Sequence, residues 1–157
     1  MQRPEPQAVS RWIAWLLAAA LPTAVTGGTS DPELRRAAAF AEQRLEATDD
    51  ARFFWSSDFD SGHCRLSLVR EDRAGGNRLH AWVPMAAVRV AGTRDGGLAL
   101  ACGQGRCIAY RQILSGERID GELTQVALPP LGVEATQPTA NALSVISQLC
   151  RDPYGTD

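Results

Sequence analysis

Residues 98–113, LALACGQGRCIAYRQI, decide the fold expected for this chain. On both sides of the segment Gly103-Gln104-Gly105-Arg106, apolar side chains alternate with small or polar ones, which is the period of a half-buried strand. The glycines favour a tight connection between the two runs. The pattern therefore predicts a hairpin formed by two strands, Leu98–Cys102 and Cys107–Ile113.

The same period of two extends from His63 to Leu128 and predicts about six antiparallel strands. Leu66 and Leu68, for example, alternate with polar neighbours. Pro84 interrupts the pattern, so we expect the sheet to bend or to have an edge there. The last predicted strand is Ile119–Leu128.

A helix is predicted at each end of this run of strands. Ser30 is the expected cap of the first helix, and its buried stripe is Leu34, Ala38, Ala41 and Leu45. The last helix is expected to start at Pro138-Thr139, with Thr139 as its cap and with a stripe of Ala142, Val145, Ile146 and Leu149. The fold class is therefore α+β: an N-terminal helix, an antiparallel meander in a curled sheet or barrel, and a C-terminal helix packed on the sheet.

The element order resembles that of PH-like (GRAM-type) barrels. The resemblance covers residues 62–151 and includes the run Val83-Pro84-Met85 followed by Val88-Arg89-Val90, then hairpins and a closing helix. It implies a barrel-like sheet, and it leaves function open because such folds host several kinds of binding. The phosphoinositide sites of that family need a basic cluster, whereas here Arg70 and Arg73 stand beside Glu71 and Asp72.

The N-terminal segment is typical of a secretory signal peptide. Arg3 and Arg11 precede the apolar run Trp12–Leu21, and small residues follow Pro22. This run is shorter than the roughly 20 apolar residues that span a bilayer. We expect residues 1–27 to be a signal peptide, residues 28–157 to be a single globular domain, and no stable membrane span to remain after cleavage. The alternative is an uncleaved or amphipathic N-terminal anchor.

Composition excludes several classes of function. All 16 basic residues are Arg, the 18 acidic residues bring the net charge to −2, and 45% of residues are apolar. The chain can therefore contain neither a catalytic lysine nor a phosphate-loop lysine, and its mild acidity argues against nucleic acid as a partner. Arg in place of Lys is typical of a GC-rich bacterial genome.

The cysteines support the strongest chemical prediction. An even number of cysteines in an exported chain indicates that the cysteines form disulfides. Cys102 and Cys107 flank the short loop and are the favoured first pair, which leaves Cys64 and Cys150 as the second. The spacing is poor for zinc and lacks the Cys-x-x-Cys of a thiol oxidoreductase, so a metal site and redox chemistry are not expected.

An aromatic run gives the candidate binding residues. Phe54 and Trp55, together with Trp82, could form an exposed binding face, although aromatic side chains in such a run more often pack in a core.

An acidic segment supports an alternative function. Asp58 or Asp60 with His63 or His80 could form the rim of a small periplasmic hydrolase. The segment also resembles the start of a calcium loop, but its twelfth position is Val69 instead of Glu.

The sequence shows no complete catalytic set. We therefore expect a periplasmic or secreted envelope protein that is a non-catalytic binding or structural module, with no cofactor and no metal. The expected partner is an envelope protein or a small ligand; the sequence does not indicate the oligomeric state.

Overall fold

The computed structural model describes residues 31–152 and confirms the α+β class. Its helices are α1 (Pro32–Glu46) and α2 (Val133–Arg151). Between them lie eight strands, not about six: β1 (Phe53–Asp60), β2 (Arg65–Asp72), β3 (Asn77–Pro84), β4 (Val88–Gly92), β5 (Leu98–Cys102), β6 (Ile108–Leu114), β7 (Glu117–Leu123) and β8 (Gln125–Ala127). The predicted signal peptide, residues 1–27, lies outside the described residues.

The strands form two antiparallel sheets. The five-stranded sheet has the order β1-β2-β3-β6-β7, and the three-stranded sheet has the order β4-β5-β8. The chain passes from the first sheet to the second at Pro84, where a 3₁₀ segment, Met85–Ala87, follows β3. The sequence predicts a bend or an edge of the sheet at Pro84, and the chain leaves the larger sheet at this residue. A closed barrel, as the PH-like resemblance implies, is not formed, because β1 and β7 end the larger sheet without pairing with each other.

The predicted hairpin across residues 103–106 is wrong. β5 pairs with β4 and β8, whereas β6 pairs with β3 and β7, so the Gly-rich loop connects two sheets. The backbone N–H groups of Cys102 and Cys107 donate to the carbonyls of Thr124 and Leu123. The segment predicted as one strand, Ile119–Leu128, therefore separates them and is itself divided between β7 and β8.

Strand β1 was not expected from the sequence. Its burial alternates along Phe53–Asp60, and Trp55 and Phe59 pack against the core. One edge of β1 pairs with β2, and the other edge faces α1. The aromatic run is therefore part of a strand at the end of the sheet.

Helix α1 has the predicted buried stripe but a different cap. Asp31 is the cap, and its Oδ1 accepts a hydrogen bond from the backbone N–H of Glu33 over 2.8 Å. The predicted cap, Ser30, lies outside the described residues. The buried stripe is Leu34, Ala38, Ala41 and Leu45, as predicted.

Helix α2 begins earlier than predicted. It starts at Val133 after Gly132, and Pro138 lies inside it. Proline cannot donate a helical hydrogen bond, so the interruption costs one bond but does not end this helix. Thr139 is consequently a buried interior residue and not a cap. The helix packs against α1, the 3₁₀ segment and β4.

Two disulfides brace the fold. Cys64 pairs with Cys150 at a Cα separation of 5.7 Å, and Cys102 pairs with Cys107 at 5.8 Å. This is the pairing that the sequence favours. The first bond ties the C-terminal part of α2 to the turn between β1 and β2, where Cys64 has a positive φ of 48° and precedes the strand. Two disulfides indicate an oxidising, extracellular type of environment.

One cluster of buried apolar side chains joins both helices to both sheets. The five-stranded sheet contributes one face to it through Leu66, Leu68, Ala81, Val83 and Ile108. Burial of this one face leaves the opposite face of the same sheet outside the core.

Candidate functional site

The opposite face of the five-stranded sheet is open along its whole width. We call it the outer face; its residues are 54, 56, 58 and 60 on β1, 65, 67, 69 and 71 on β2, 78, 80, 82 and 84 on β3, 109, 111 and 113 on β6, and 118, 120 and 122 on β7. Cross-strand partners share a face, so the register assigns these positions together. None of them is buried, so no described element covers this face.

An aromatic stack lies at the centre of the outer face. His80 and Trp82 are next-but-one neighbours on β3, and their ring centroids are 3.9 Å apart. Arg111 lies opposite His80 on β6, with its guanidinium carbon 5.7 Å from the centroid of Trp82. A guanidinium at this distance is attracted to the ring face. The stack is half-buried, and its remaining surface faces solvent.

Ser67 anchors the stack from the neighbouring strand. Its Oγ lies 2.6 Å from Nε2 of His80, within hydrogen-bond distance. The pKa of His80 is lowered below its ordinary value. Burial of the ring is the largest cause, followed by the positive charges of Arg78, Arg111 and Arg65. His80 is therefore neutral at pH 7, and the positive charge in this region belongs to the arginines.

A shallow pocket of about 250 Å³ lies beside the stack. It is lined by Arg78, His80, Arg111 and Ile113. Asp120 holds two guanidiniums at its edge: its Oδ1 lies 2.9 Å from Nε of Arg111, and its Oδ2 lies 2.7 Å from Nε of Arg118. These hydrogen bonds lower the pKa of Asp120, so it stays ionised.

Arg78 differs from the other arginines of the pocket. Glu71 is its register partner on β2, yet the two make no ion pair. Within residues 31–152, Arg78 makes no side-chain hydrogen bond, ion pair or ring contact. Its positive charge therefore has no counter-ion in the part of the chain that the structure describes.

The three aromatic residues predicted to bind a partner do not share a face. Phe54 and Trp82 lie on the outer face, and 55% of the Phe54 side chain is exposed, with the guanidinium carbon of Arg73 4.1 Å from its ring centroid. Trp55 points to the core side, where its Nε1 donates to Oδ2 of Asp50 over 2.8 Å. That bond, followed by the backbone N–H groups of Arg52 and Phe53, lowers the pKa of Asp50.

The predicted Asp/His rim is divided into two separate contacts. His63 lies in the turn after β1, and its Nδ1 is 2.7 Å from Oδ2 of Asp60, the last residue of that strand. Both side chains are accessible to solvent. His80 contacts Ser67 instead. Asp60 is in register with Pro84, through β2. His80 lies four residues from Pro84, about 13 Å along β3, and β3 is two strands from Asp60, so the two side chains do not form one rim.

The acidic segment does not gather metal ligands. Asp58 and Asp60 lie on β1, and no group of three His, Cys, Asp or Glu residues among residues 31–152 is placed to hold a metal ion. In the same part of the chain, no helix combines the length and the apolar character required to cross a membrane.

Three residues of the pocket region were not singled out from the sequence. Ser67, Arg78 and Arg111 read as ordinary polar positions in strand patterns. The signal that could have found them is the period of two, which places 78, 80 and 82 on one face of β3. The partner strands could not be assigned without the sheet order, because β6 was expected to pair with β5.

Comparisons with known proteins give no further guide to the site. No protein family, no curated protein and no solved structure matches this chain.

Proposed function

We propose that this chain is an exported, non-catalytic binding module of the bacterial envelope that holds its partner on the outer face of the five-stranded sheet. One observation carries the proposal: a whole sheet face, with the His80–Trp82 stack at its centre, is left uncovered by residues 31–152. Aromatic and arginine side chains are enriched where proteins bind partners. The two disulfides and the signal-like N-terminal sequence support export.

Site-specific photo-crosslinking in cells of the native host tests the proposal. A photoreactive phenylalanine analogue replaces Phe54 on the outer face in the full chain, and a matched variant carries it at Val133 on α2. Val133 is 93% exposed and Phe54 is 55% exposed, so exposure alone favours the control. We expect a discrete crosslinked product from position 54 and none from position 133. Products of equal yield from both positions, or from position 133 alone, would overturn the proposal.

The alternative function is a small periplasmic hydrolase, and the Asp60–His63 contact is the observation that favours it. A general base needs a partner that orients it and a nucleophile within reach. Asp60 supplies the first requirement for His63. If the purified protein hydrolyses ester or peptide substrates and the His63→Ala variant does not, the alternative replaces the binding module.

A further inference from the structure

We infer that Arg78 and Arg111, on either side of His80, bind the carboxylate or phosphate group of an anionic ligand. The inference rests on the proposed function, since it names the chemistry that the outer face recognises. Arg78 and Arg111 are diagonal neighbours on β3 and β6, so their Cα atoms are about 7–8 Å apart. Two guanidiniums at that spacing can place N–H groups on both sides of one oxyanion.

The balance of charge around the pocket favours an anion. Glu71 faces the pocket from β2, and Asp120 faces it from β7. Asp120 divides its two oxygens between Arg111 and Arg118, and Glu71 forms no ion pair with Arg78. With His80 neutral, the guanidiniums of Arg78, Arg111 and Arg118 meet these two carboxylates, while Arg65, whose charge also acts on His80, is paired with Asp60. An excess positive charge therefore remains at the pocket, and it lies at Arg78.

The donor groups of the two arginines are available. Asp120 uses Nε of Arg111 and so fixes the direction of its side chain, while the terminal nitrogens of Arg111 contact no carboxylate among residues 31–152. The guanidinium N–H groups of Arg78 have no hydrogen-bond acceptor within residues 31–152. Fixing one guanidinium before the ligand arrives lowers the entropy that binding must overcome.

The walls of the pocket indicate what the anion is attached to. Ile113 contributes apolar surface, and 37% of it is exposed. The rings of His80 and Trp82 continue that surface along β3. A volume of about 250 Å³ accommodates an anionic group with a small apolar or planar portion. The ligand class is therefore an organic carboxylate or phosphate, either free or at the exposed end of a larger partner.

Proton NMR of the two histidines tests the inference on the disulfide-bonded protein. His80 reports on the pocket, and His63, in the turn after β1, is an internal control. Inorganic phosphate and acetate are titrated separately at constant low ionic strength, because salt screens exposed charges. We expect a saturable shift of the His80 ring protons with at least one probe, with His63 unchanged. The probe that binds more tightly distinguishes a phosphate from a carboxylate ligand.

Variants assign the effect to the arginines. Arg78→Gln and Arg111→Gln are each expected to weaken binding by about tenfold or more, since each removes a charge-assisted hydrogen bond. Glu71→Gln removes a competing carboxylate and should tighten binding. Arg89→Gln, on β4 of the other sheet, is the matched control and should have no effect.

Two results would overturn the inference: no saturable shift of His80 with either probe, or equal shifts in the wild type and the Arg78→Gln variant. These outcomes are distinct from failure of the proposed function. Anion binding without a crosslink at Phe54 would retain the site and remove the macromolecular partner. A crosslink without anion binding would retain the binding face and remove the anion site.

Discussion

Oε1 of Glu42 on α1 accepts a hydrogen bond from the backbone N–H of Phe59 on β1 over 2.5 Å. One turn along the helix, Oε1 of Glu46 accepts from the N–H of Ser57 over 3.3 Å. Both groups belong to the edge of β1 that no strand pairs with. Unpaired edges promote association of sheets between molecules, and α1 covers this one with carboxylates.

The Glu42→Ala substitution is expected to lower the free energy of unfolding by about 1–3 kcal/mol, because it leaves the half-buried N–H of Phe59 without an acceptor. It should also produce self-association that increases with protein concentration, since the edge of β1 becomes available. Urea denaturation and light scattering measure the two effects. Glu42→Gln retains a carbonyl acceptor and is the matched control. An alanine variant that is as stable and as monodisperse as this control would show that Glu42 does not guard the edge.

Glu42 also predicts a dependence of stability on pH. Burial of the Glu42 carboxyl is the main cause that raises its pKa above the ordinary 4.5. The hydrogen bond from the N–H of Phe59 opposes this rise, and the negative charges of Asp58 and Glu46 add to it. Folding therefore favours the protonated carboxyl. Its contribution to stability is fully present below 4.5 and is lost as the pH rises through the folded-state pKa.

The comparison that isolates this contribution is wild type against Glu42→Gln. Between about pH 4 and pH 7, the free energy of unfolding of the variant should rise relative to that of the wild type, because glutamine does not ionise. Denaturation curves at a series of pH values measure the difference. A difference that is constant with pH, or that changes in the opposite direction, contradicts the raised pKa.

The two disulfides should contribute unequally to stability. Cys64 and Cys150 are 86 residues apart in sequence, and Cys102 and Cys107 are 5 apart. In the chain-entropy model, the long loop stabilises by about 4.5 kcal/mol and the short one by about 2 kcal/mol. Replacing both members of each pair by Ala and comparing guanidinium denaturation measures these values. Equal losses from the two double variants would be inconsistent with the entropic origin.

Thr139 offers a position where a polar group is expected to reduce stability. It is fully buried in α2, and its Oγ1 has no hydrogen-bond partner among residues 31–152. Thr139→Val replaces the hydroxyl by a methyl of similar size and should raise the free energy of unfolding by about 1 kcal/mol. Thermal unfolding measures the change.

Ser147 is the matched contrast on the same helix. Its Oγ donates to the carbonyl of Val88 over 2.7 Å, on the edge of β4, and accepts from Arg151. Ser147→Ala should therefore destabilise by about 1–2 kcal/mol. If both substitutions change stability in the same direction, hydrogen-bond satisfaction does not explain either of them.

Sequence patterns predicted the structure correctly where they concern a single helix or strand. The stripe of α1 from Leu34 to Leu45 repeats with the helical period and required no knowledge of its neighbours. The end of β3 at Pro84 is consistent with the missing N–H of proline. The pairing of Cys102 with Cys107 is confirmed although the hairpin from which it was expected does not form, because a separation of 5 residues keeps the two cysteines close.

Partner choice between strands could not be read from the sequence. The Gly-rich segment 103–106 and the pair Ser115-Gly116 are both good turns, yet only the second forms a hairpin. There, Ser115 and Gly116 have φ of 51° and 88°, as a two-residue type I′ turn requires. Whether β6 adds to β5 or to β3 depends on contacts distant in sequence. The arginine pocket depends on that choice and was missed for the same reason.

Start points of elements were the least predictable feature. The sequence predicts that the last helix begins at Pro138, but the backbone N–H groups of Ala135 and Thr136 already donate to the carbonyl of Gly132. A single proline removes one donor, and packing of the rest of α2 on α1 outweighs that loss.

The proposed function depends on export of the chain into an oxidising compartment, and intact-mass spectrometry of protein from its native host tests this export. Alkylation before and after reduction is measured alongside the mass. We expect a species that lacks residues 1–27 and whose four cysteines react with the alkylating reagent only after reduction. A species that begins at Met1 and has four reactive thiols without reduction would contradict it.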